Sequence, residues 1–478
     1  MRVPVLALVL GAHVHVRAVD VEGWGITMGW WNSLFPTRKA LDLPLPGIYH
    51  FLHQSPENKV RIHLRIEPGG QGSLLINASR IYHLNATAAL MAYFILSGYP
   101  ENVILQTLVA HFRTQVAQVK ADLDNFRLHL NALIEPDGIC PICDLDLETL
   151  PPFSTRSSAP YRMDLALTYR CNNDCAHCYN ARPRTYPELE TETWKQVIDR
   201  LWEIGIPHIV FTGGEPTLRH DLPLLIAHAE SRGQITGLNT NGRRLHDPRY
   251  MNALCEAGLD HVQITLESYD PTIHDRIVGC PGAWKQTVQG IRIALKTHLF
   301  VMTNTTLLSS NAPYLAQTLD FLAELGVPTV GINGLIHSGG GATVNTGIPE
   351  TQLQDLLALA REKTAHYGQR LIWYTPTRYC HFDPVLNGLG LKGCTAAWYN
   401  MCIEPDGFVL PCQSYYQPLG HILNDPWESV WNHDLAVALR ERHYVPETCG
   451  QCVLLQECGG GCPLTYAVNQ AVSPYPGP

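Results

Sequence analysis

Cys171, Cys175 and Cys178 share one short loop, spaced C-x3-C-x2-C, and that loop follows directly on an apolar strand-like run from Met163 to Thr168. Three thiolates so placed can hold a four-iron cluster through three of its irons, which leaves the fourth iron open for chemistry. Zinc is the competing reading of three close cysteines, although zinc sites pair a C-x2-C unit with a second pair or with histidines. Spacing alone favours the iron cluster, and the elements around the loop decide what fold must carry it.

From Met163 to Tyr374 apolar runs alternate with amphipathic stretches, the pattern of parallel strands with covering helices. Strands are expected over Met163–Thr168, His208–Thr212, Ile235–Asn239, His261–Leu266, Val301–Leu307 and Thr329–Leu335. Helices are expected over Glu192–Ile204, Leu224–Ser231, Arg249–Ala257, Ala283–Lys296, Tyr314–Leu325 and Thr351–His366. Six such units predict an α/β fold, a partial (β/α)6 TIM-like barrel over residues 161–376. In such folds chemistry gathers at the carboxyl ends of the strands, where the three cysteines also fall.

The stretch Tyr169-Arg-Cys-Asn-Asn-Asp-Cys-Ala-His-Cys-Tyr179 resembles the radical S-adenosylmethionine (SAM) signature, including an aromatic residue, His177, just before the last cysteine. The resemblance implies that Cys171, Cys175 and Cys178 hold a 4Fe-4S cluster whose open iron chelates the methionine part of SAM. It also implies that electron transfer releases a 5'-deoxyadenosyl radical that abstracts hydrogen. Gly213-Gly214-Glu215-Pro216, one strand later, matches the family's GGEP motif. Its glycines are expected to let backbone approach the cofactor, while the carboxylate and backbone polar groups receive the SAM ammonium. A plain Gly-Gly-x-Pro turn is the alternative, with no reason to fall one βα unit after the cysteine loop. By position, Asn239, Asn241, Thr265, Glu267 and Ser268 resemble family residues near the SAM ribose and carboxylate, with helix capping as the alternative. Tyr179 joins His177 in this expected cofactor-contact set, and Arg276 is a candidate partner for a SAM or substrate carboxylate, or a surface ion pair.

A second cysteine-rich region, residues 377–478, resembles the SPASM extension of radical SAM enzymes, which carries auxiliary iron-sulfur clusters. Cys394, twelve residues, Gly407, four residues and Cys412 are followed by Cys449-x2-Cys452-x5-Cys458-x3-Cys462. The turn Glu404-Pro-Asp-Gly407 before Phe408-Val-Leu410 predicts a hairpin that brings Cys402 and Cys412 together. By resemblance Cys394, Cys402, Cys412 and Cys462 belong to a first auxiliary cluster, and Cys449, Cys452 and Cys458 to a second. The family usually supplies one more cysteine after the last motif, and the tail from Pro463 to Pro478 has none. Three readings stand open for that second cluster: an open iron, an oxygen or nitrogen ligand, or a cysteine from elsewhere, for which Cys140-Pro-Ile-Cys143 is the obvious donor. Cys255, Cys280 and Cys380 lack motif partners and read as buried small hydrophobes.

Composition bounds the partners. A net charge of -9 and a pI near 6.2, without a cluster of Lys and Arg, argue against nucleic-acid binding. Fifteen cysteines with no convincing export signal read as metal ligands in a reducing, cytoplasmic setting. Met1-Arg-Val-Pro-Val-Leu-Ala-Leu-Val-Leu-Gly11 imitates a short signal sequence but lacks a small-residue cleavage site and is too short to span a bilayer, so a buried strand or frayed terminus is expected. No membrane span is expected elsewhere.

Ahead of the barrel, residues 1–58 read as an extension, 59–135 as a small α+β domain and 136–160 as a linker carrying the C-x2-C pair. Val60–Glu67 and Gly72–Ile76 predict paired strands joined at Pro68-Gly69-Gly70. Helices are expected over Ala86–Leu96, Asn102–Phe112 and Val116–Leu133, with Asn85 capping the first. With Ile81-Tyr-His-Leu-Asn85 before helix one, this winged-helix-like unit resembles the peptide-binding domain of the pyrroloquinoline-quinone biosynthesis chaperone family, which captures a leader peptide as an added strand. A generic winged helix is the alternative.

Together these resemblances imply an oxidoreductase that matures a ribosomally made precursor peptide (RiPP maturation), forming a thioether or carbon-carbon crosslink, with flavodoxin or ferredoxin as electron donor. Epimerisation and backbone excision stay open. Oxidation of a protein side chain, as in sulfatase maturation, and modification of a small molecule such as a tetrapyrrole are the enzymatic rivals. A non-catalytic iron-sulfur chaperone is the rival from another class. No catalytic residue is assigned, although Tyr374, Tyr379 and His381 are candidates to handle a substrate radical.

Overall fold

A computed structural model describes residues 3–4, 42–54, 59–77, 80–134, 149–150 and 157–469. Met1–Gly11 apart from residues 3–4, and the Cys140–Cys143 pair, lie outside the described residues. The chain divides into two compact units, Arg2–Thr155 and Arg156–Pro478. The division falls within the segment 136–160, and the cysteine-rich region lies in the same unit as the barrel.

In the first unit, four antiparallel strands run in chain order: β1 (Gly47–Gln54), β2 (Lys59–Ile66), β3 (Gly72–Ile76) and β4 (Arg80–Leu84). The sheet begins one strand before the expected residue 59, because Gly47–Gln54 pairs along its whole length with Lys59–Ile66. Three helices follow: α1 (Ala86–Leu96), α2 (Glu101–Phe112) and α3 (Val116–Ile134). Asn85 caps α1 as expected, its side chain accepting from the Ala88 N–H at 2.8 Å. Ile62, Leu64, Leu74 and Ile76 alternate onto one face of the sheet and pack with Phe94, Ile104, Leu123 and Leu130, giving the unit its own core.

In the second unit, seven parallel strands are laid side by side in sequence order: β5 (Arg162–Thr168), β6 (His208–Gly213), β7 (Ile235–Thr240), β8 (His261–Thr265), β9 (Phe300–Leu307), β10 (Thr329–Gly334) and β11 (Arg370–Trp373). The helices between them include α4 (Thr191–Ile204), α5 (Leu222–Arg232), α6 (Pro248–Glu256), α7 (Pro271–Ile277), α8 (Ala283–Ala294), α9 (Leu315–Glu324) and α10 (Leu353–His366). Met163, Leu165, Phe211, Leu238, Ile264, Val330 and Trp373 point outward from the strands and meet Trp194, Leu225, Met251, Ile291 and Leu357 from the helices. Arg162 and Asp164 occupy the alternate face of β5, where a buried carboxylate needs its cation: Nε lies 2.7 Å from Oδ1.

All six expected strands are present, and the sheet extends beyond them at both ends. β11 adds a seventh parallel strand, and β12 (Asn400–Ile403) adds another beyond β5, parallel to it, with Cys402 opposite Asp164. β12 turns back into β13 (Phe408–Leu410) through the expected hairpin, and β14 (Gly420–His421) ends the sheet. The cysteine-rich region is thus built on the edge of the barrel sheet. Buried Glu404 fastens it there: Arg182, leaving the cysteine loop, grips both its oxygens at 2.7 and 2.9 Å, and the Tyr169 hydroxyl donates to it at 3.1 Å. Arg182→Ala would leave that carboxylate buried without its cation, at a cost of about 3 kcal/mol. Chemical denaturation of anaerobically purified protein should show this loss, and a partial recovery when Glu404→Gln is added.

Candidate active site and iron-sulfur ligands

The three cysteines lie where parallel strands end, and neighbouring strand ends hold their loop in shape. Arg243, just beyond β7, reaches the Asn172 carbonyl, the Asn173 side chain at 2.9 Å and Cys280 Sγ at 3.2 Å. Asn241 donates to the Asn172 side chain at 2.6 Å. From beyond β8, the Val278 carbonyl accepts from Asp174 N–H at 2.8 Å and lies 3.8 Å from Cys175 Sγ. Arg184 returns to donate to the Cys171 and Asn173 carbonyls at 3.0 and 2.6 Å.

Cys171 and Cys175 are half-buried and Cys178 is exposed. Burial pushes the Cys171 thiol up to about 11, against the Asn173 N–H that points at its sulfur from 3.4 Å. Thiols held up in this way must give up their protons to a metal, which supplies the missing counter-charge. Among the described residues no group of three His, Cys, Asp or Glu closes around a single ion. A four-iron cube asks instead for thiolates spread over its corners, and three cysteines on one arched loop fit that donor set.

The GGEP segment lies against the same loop. A side chain on Gly214 would sit 2.4 Å from the Arg170 carbonyl, and one on Gly213 2.1 Å from the Thr168 carbonyl. The glycines thus let β6 end flush against the strand that launches the cysteines, a closer neighbour than a cofactor. Glu215 has a structural task of its own. It is fully buried, and its two oxygens accept from Thr217 N–H, Thr217 hydroxyl, Thr240 hydroxyl and Asn241 N–H at 2.6 to 3.1 Å. Three of these donors converge on Oε1 and only the Asn241 N–H reaches Oε2, so Glu215 ties β6 to β7 through one oxygen and keeps acceptor capacity on the other.

The other expected residues divide in the same way. Glu267 is buried, receives Thr306 N–H at 2.9 Å and meets His177 Nε2 at 3.2 Å, so the aromatic residue of the cysteine loop is anchored from β8. The Ser268 hydroxyl accepts from the Asp270 N–H at 3.2 Å, just ahead of α7, whose N-cap is Asp270 itself. Asn239 and Thr265 stand on the polar face of their strands, half-buried, opposite Gln263 and Asn304. Tyr179 donates to Gln413 at 3.3 Å, next to Cys412, and joins the cysteine loop to the auxiliary region. Arg276 is exposed and forms no ion pair among the described residues. Tyr374 lies over Gly331 and meets Met302 Sδ at 3.3 Å, whereas Tyr379 and His381 are bound to Lys392 N–H and Glu350 and act as wall residues. Arg243 and Arg182 were invisible as functional candidates; Asn239-Thr-Asn-Gly-Arg243 at a strand end was the available signal for the first.

Of the first auxiliary set, Cys394 is raised by burial and then by Cys462 and Cys412, so those three thiols share a neighbourhood. Cys402 is buried in an apolar cluster with Ala166, Tyr169, Leu410 and Tyr416, with Cys412 as its nearby thiol. Of the second set, Cys458 is buried, Cys449 half-buried and Cys452 exposed. Cys255 and Cys280 are only half-buried and Cys380 is exposed, so the reading of these three as buried hydrophobes fails. Cys280 faces the Arg243 guanidinium, and Cys380 follows a segment wrapped on Cys458.

Gly214→Ala tests the close approach. With carbonyls in the way of any Cβ, the cysteine loop must shift, and iron and sulfide content should fall by about one cluster relative to wild type, with the secondary structure kept by circular dichroism.

Comparison with known proteins agrees with this geometry. Residues 165–322 match the radical SAM superfamily, and residues 394–453 match the SPASM iron-sulfur cluster-binding domain. The PqqA peptide cyclase of Rhizobium meliloti is 29% identical over 66% of this chain and 84% of its own length. The AdoMet-dependent heme synthase of Methanosarcina barkeri is 26% identical over 66% of this chain and 94% of its own. Among solved structures, Streptococcus suis SuiB bound to its precursor peptide SuiA superposes with a TM-score of 0.63 at 17% identity, over 86% of this chain and 96% of that one. SuiB bound to S-adenosylmethionine gives 0.64 over 87% and 97%, also at 17% identity. Cysteine loop, strand-end glycines and matched domains converge: the chain carries a radical SAM domain over residues 165–322 and a SPASM domain over residues 394–453, and its cofactors are a 4Fe-4S cluster that binds S-adenosylmethionine and auxiliary iron-sulfur clusters.

Proposed function

We propose that this enzyme modifies a ribosomally made precursor peptide and forms a thioether or carbon-carbon crosslink in it. The observation that carries the reading is the N-terminal unit, a four-stranded meander followed by three helices with a core of its own. Barrel chemistry alone gives such a unit no task. An extended peptide would add to an edge strand of this sheet, β1 or β4, the mode in which main-chain hydrogen bonds give affinity and side-chain pockets give selectivity. A bound leader raises the local concentration of the segment to be modified. PqqA peptide cyclase and the SuiB–SuiA complex, as their names state, act on or bind peptides, and both support the reading.

Cys171, Cys175 and Cys178 would hold the SAM cluster, with His177 and Tyr179 positioning the loop, the Gly213–Pro216 turn and Asn241 shaping its rim, and Asn239 and Thr265 facing the reacting end. Cys394, Cys402, Cys412 and Cys462 would serve one auxiliary cluster and Cys449, Cys452 and Cys458 another. When bound, the SAM cluster supplies the hydrogen-abstracting radical. A crosslink removes two hydrogens from the peptide: one leaves as an atom, the other as a proton and an electron, and the auxiliary region is placed to take that electron. Flavodoxin or ferredoxin would supply the reducing electron for SAM cleavage, in the cytoplasm. Among the described residues no helix is long and apolar enough to cross a membrane.

A tetrapyrrole substrate, which likeness to a heme synthase would favour, leaves the N-terminal unit unused. Removal of residues 1–135 discriminates. The truncated enzyme should still form 5'-deoxyadenosine from SAM but lose affinity for the leader and most turnover of the full precursor. Mass spectrometry of the co-expressed precursor should show the loss of two hydrogens for a crosslink. Full turnover and leader affinity after truncation would overturn the peptide assignment.

A further inference from the structure

We propose that Cys380 supplies the fourth thiolate to the auxiliary cluster of Cys449, Cys452 and Cys458. The proposal rests on the assignment of those three to one cluster and adds the ligand that their motif lacks.

The segment from Thr377 to His381 is fixed at both ends of its path. Trp373 Nε1, at the end of β11, donates to the Thr377 hydroxyl at 2.8 Å within the core. Arg378 and His381 both bind Glu350, at 2.7 and 2.9 Å, and the Tyr379 hydroxyl accepts from Lys392 N–H at 3.0 Å. So held, the segment wraps the loop that carries Cys458 and Cys462. The Tyr379 N–H points at Cys458 Sγ from 3.4 Å, and that sulfur lies 3.8 Å from the Thr377 carbonyl.

Gly461 makes the approach possible. A side chain there would stand 2.9 Å from Arg378 Cγ and 3.4 Å from Arg378 N, and its φ of +81° suits glycine. Cys380 is the next residue after Tyr379 and is exposed, with no apolar packing role. Cys458 feels both Cys380 and Cys449 as neighbouring thiols, beyond the effect of its own burial. Cys452 follows Cys449 by a C-x2-C turn in which Cys452 N–H donates to the Cys449 carbonyl at 3.0 Å. Cys380 and Cys449 thus lie near Cys458, with Cys452 on the turn that follows Cys449. Glu350, the acid nearest in that network of bonds, is already taken by Arg378 and His381.

A four-iron cluster with four thiolates has no open iron. Cys380 would make this cluster an electron relay, closed to substrate and solvent. The Tyr379 N–H, bonded to a ligand sulfur, would tune its potential, since hydrogen bonds to cluster sulfurs are one of the levers on it.

The full-length enzyme, reconstituted with iron and sulfide without oxygen, is the material for the test. Cys380→Ala should lose one to four irons per chain, about one for a three-iron remnant and about four for a lost cluster, and should change one auxiliary electron paramagnetic resonance signal. Cys380→Ser, a gentler change for the fold, should keep more iron and shift that signal, as an alkoxide replaces a thiolate. Cys255→Ala, away from these sulfurs, should match wild type. Cys452→Ala tests the underlying cluster separately. If Cys452→Ala loses iron while both Cys380 variants keep wild-type iron, sulfide and spectra, Cys380 is no ligand. If Cys452→Ala itself loses none, the three-cysteine cluster falls and the proposal with it.

Discussion

A sheet of parallel strands that does not close into a full barrel leaves its first strand with an unpaired edge, and such an edge must be covered or paired. Here the edge of Arg162–Thr168 is paired by Asn400–Ile403, and much of the second unit follows from that pairing. The strand that launches Cys171, Cys175 and Cys178 is the same strand against which Cys402 is laid, opposite Asp164. Two regions more than two hundred residues apart in sequence thus share one hydrogen-bonded ladder. The Arg182–Glu404 pair then locks the hairpin turn to the segment leaving the cysteine loop, with Tyr186 donating to Asp406 at 2.8 Å beside it.

The strand ends are joined to one another by buried polar groups, and this gives the site its rigidity. Glu215 joins β6 to β7, Glu267 joins the end of β8 to β9 and to His177, and Arg243 joins β7 to the cysteine loop. Each is a charged group whose burial is costly unless every lone pair or proton is used. Together they hold a loop of cysteines in the arrangement that a cluster needs before the cluster arrives. The motif residues thus also serve the loop's shape, Glu215 chiefly through one of its two oxygens.

The barrel strands were legible because each is a short run of apolar and β-branched residues ended by a polar group, and the observed bounds differ from the expected ones by one or two residues. The strands that escaped had weaker signals. Arg370–Trp373 and Asn400–Ile403 are four residues each, too short for alternation to show. In Gly47–Gln54, histidines and aromatics mix with apolar residues and mask the period of two. Cysteine spacing identified the ligand loops because ligands close in sequence are constrained by the loop between them. It said nothing of Arg182 and Glu404, or of Cys380 and Cys458, whose proximity exists only once the chain has folded back.

The environments of the cysteines argue for a division of labour. Cys402 lies in an apolar cluster beneath the ladder, and burial raises its thiol together with Asp164 and Glu404, negative neighbours that oppose a further negative charge. A thiolate there needs the positive charge of iron beside it. Cys449 is half-buried and Cys452 exposed, on a turn outside the barrel strands. Tyr179, bonded to Gln413 beside Cys412, lies between the SAM-binding loop and the first of these groups. The buried set is thus tied by that bond to the loop of Cys171, Cys175 and Cys178, whereas Cys452 of the second set is open to solvent.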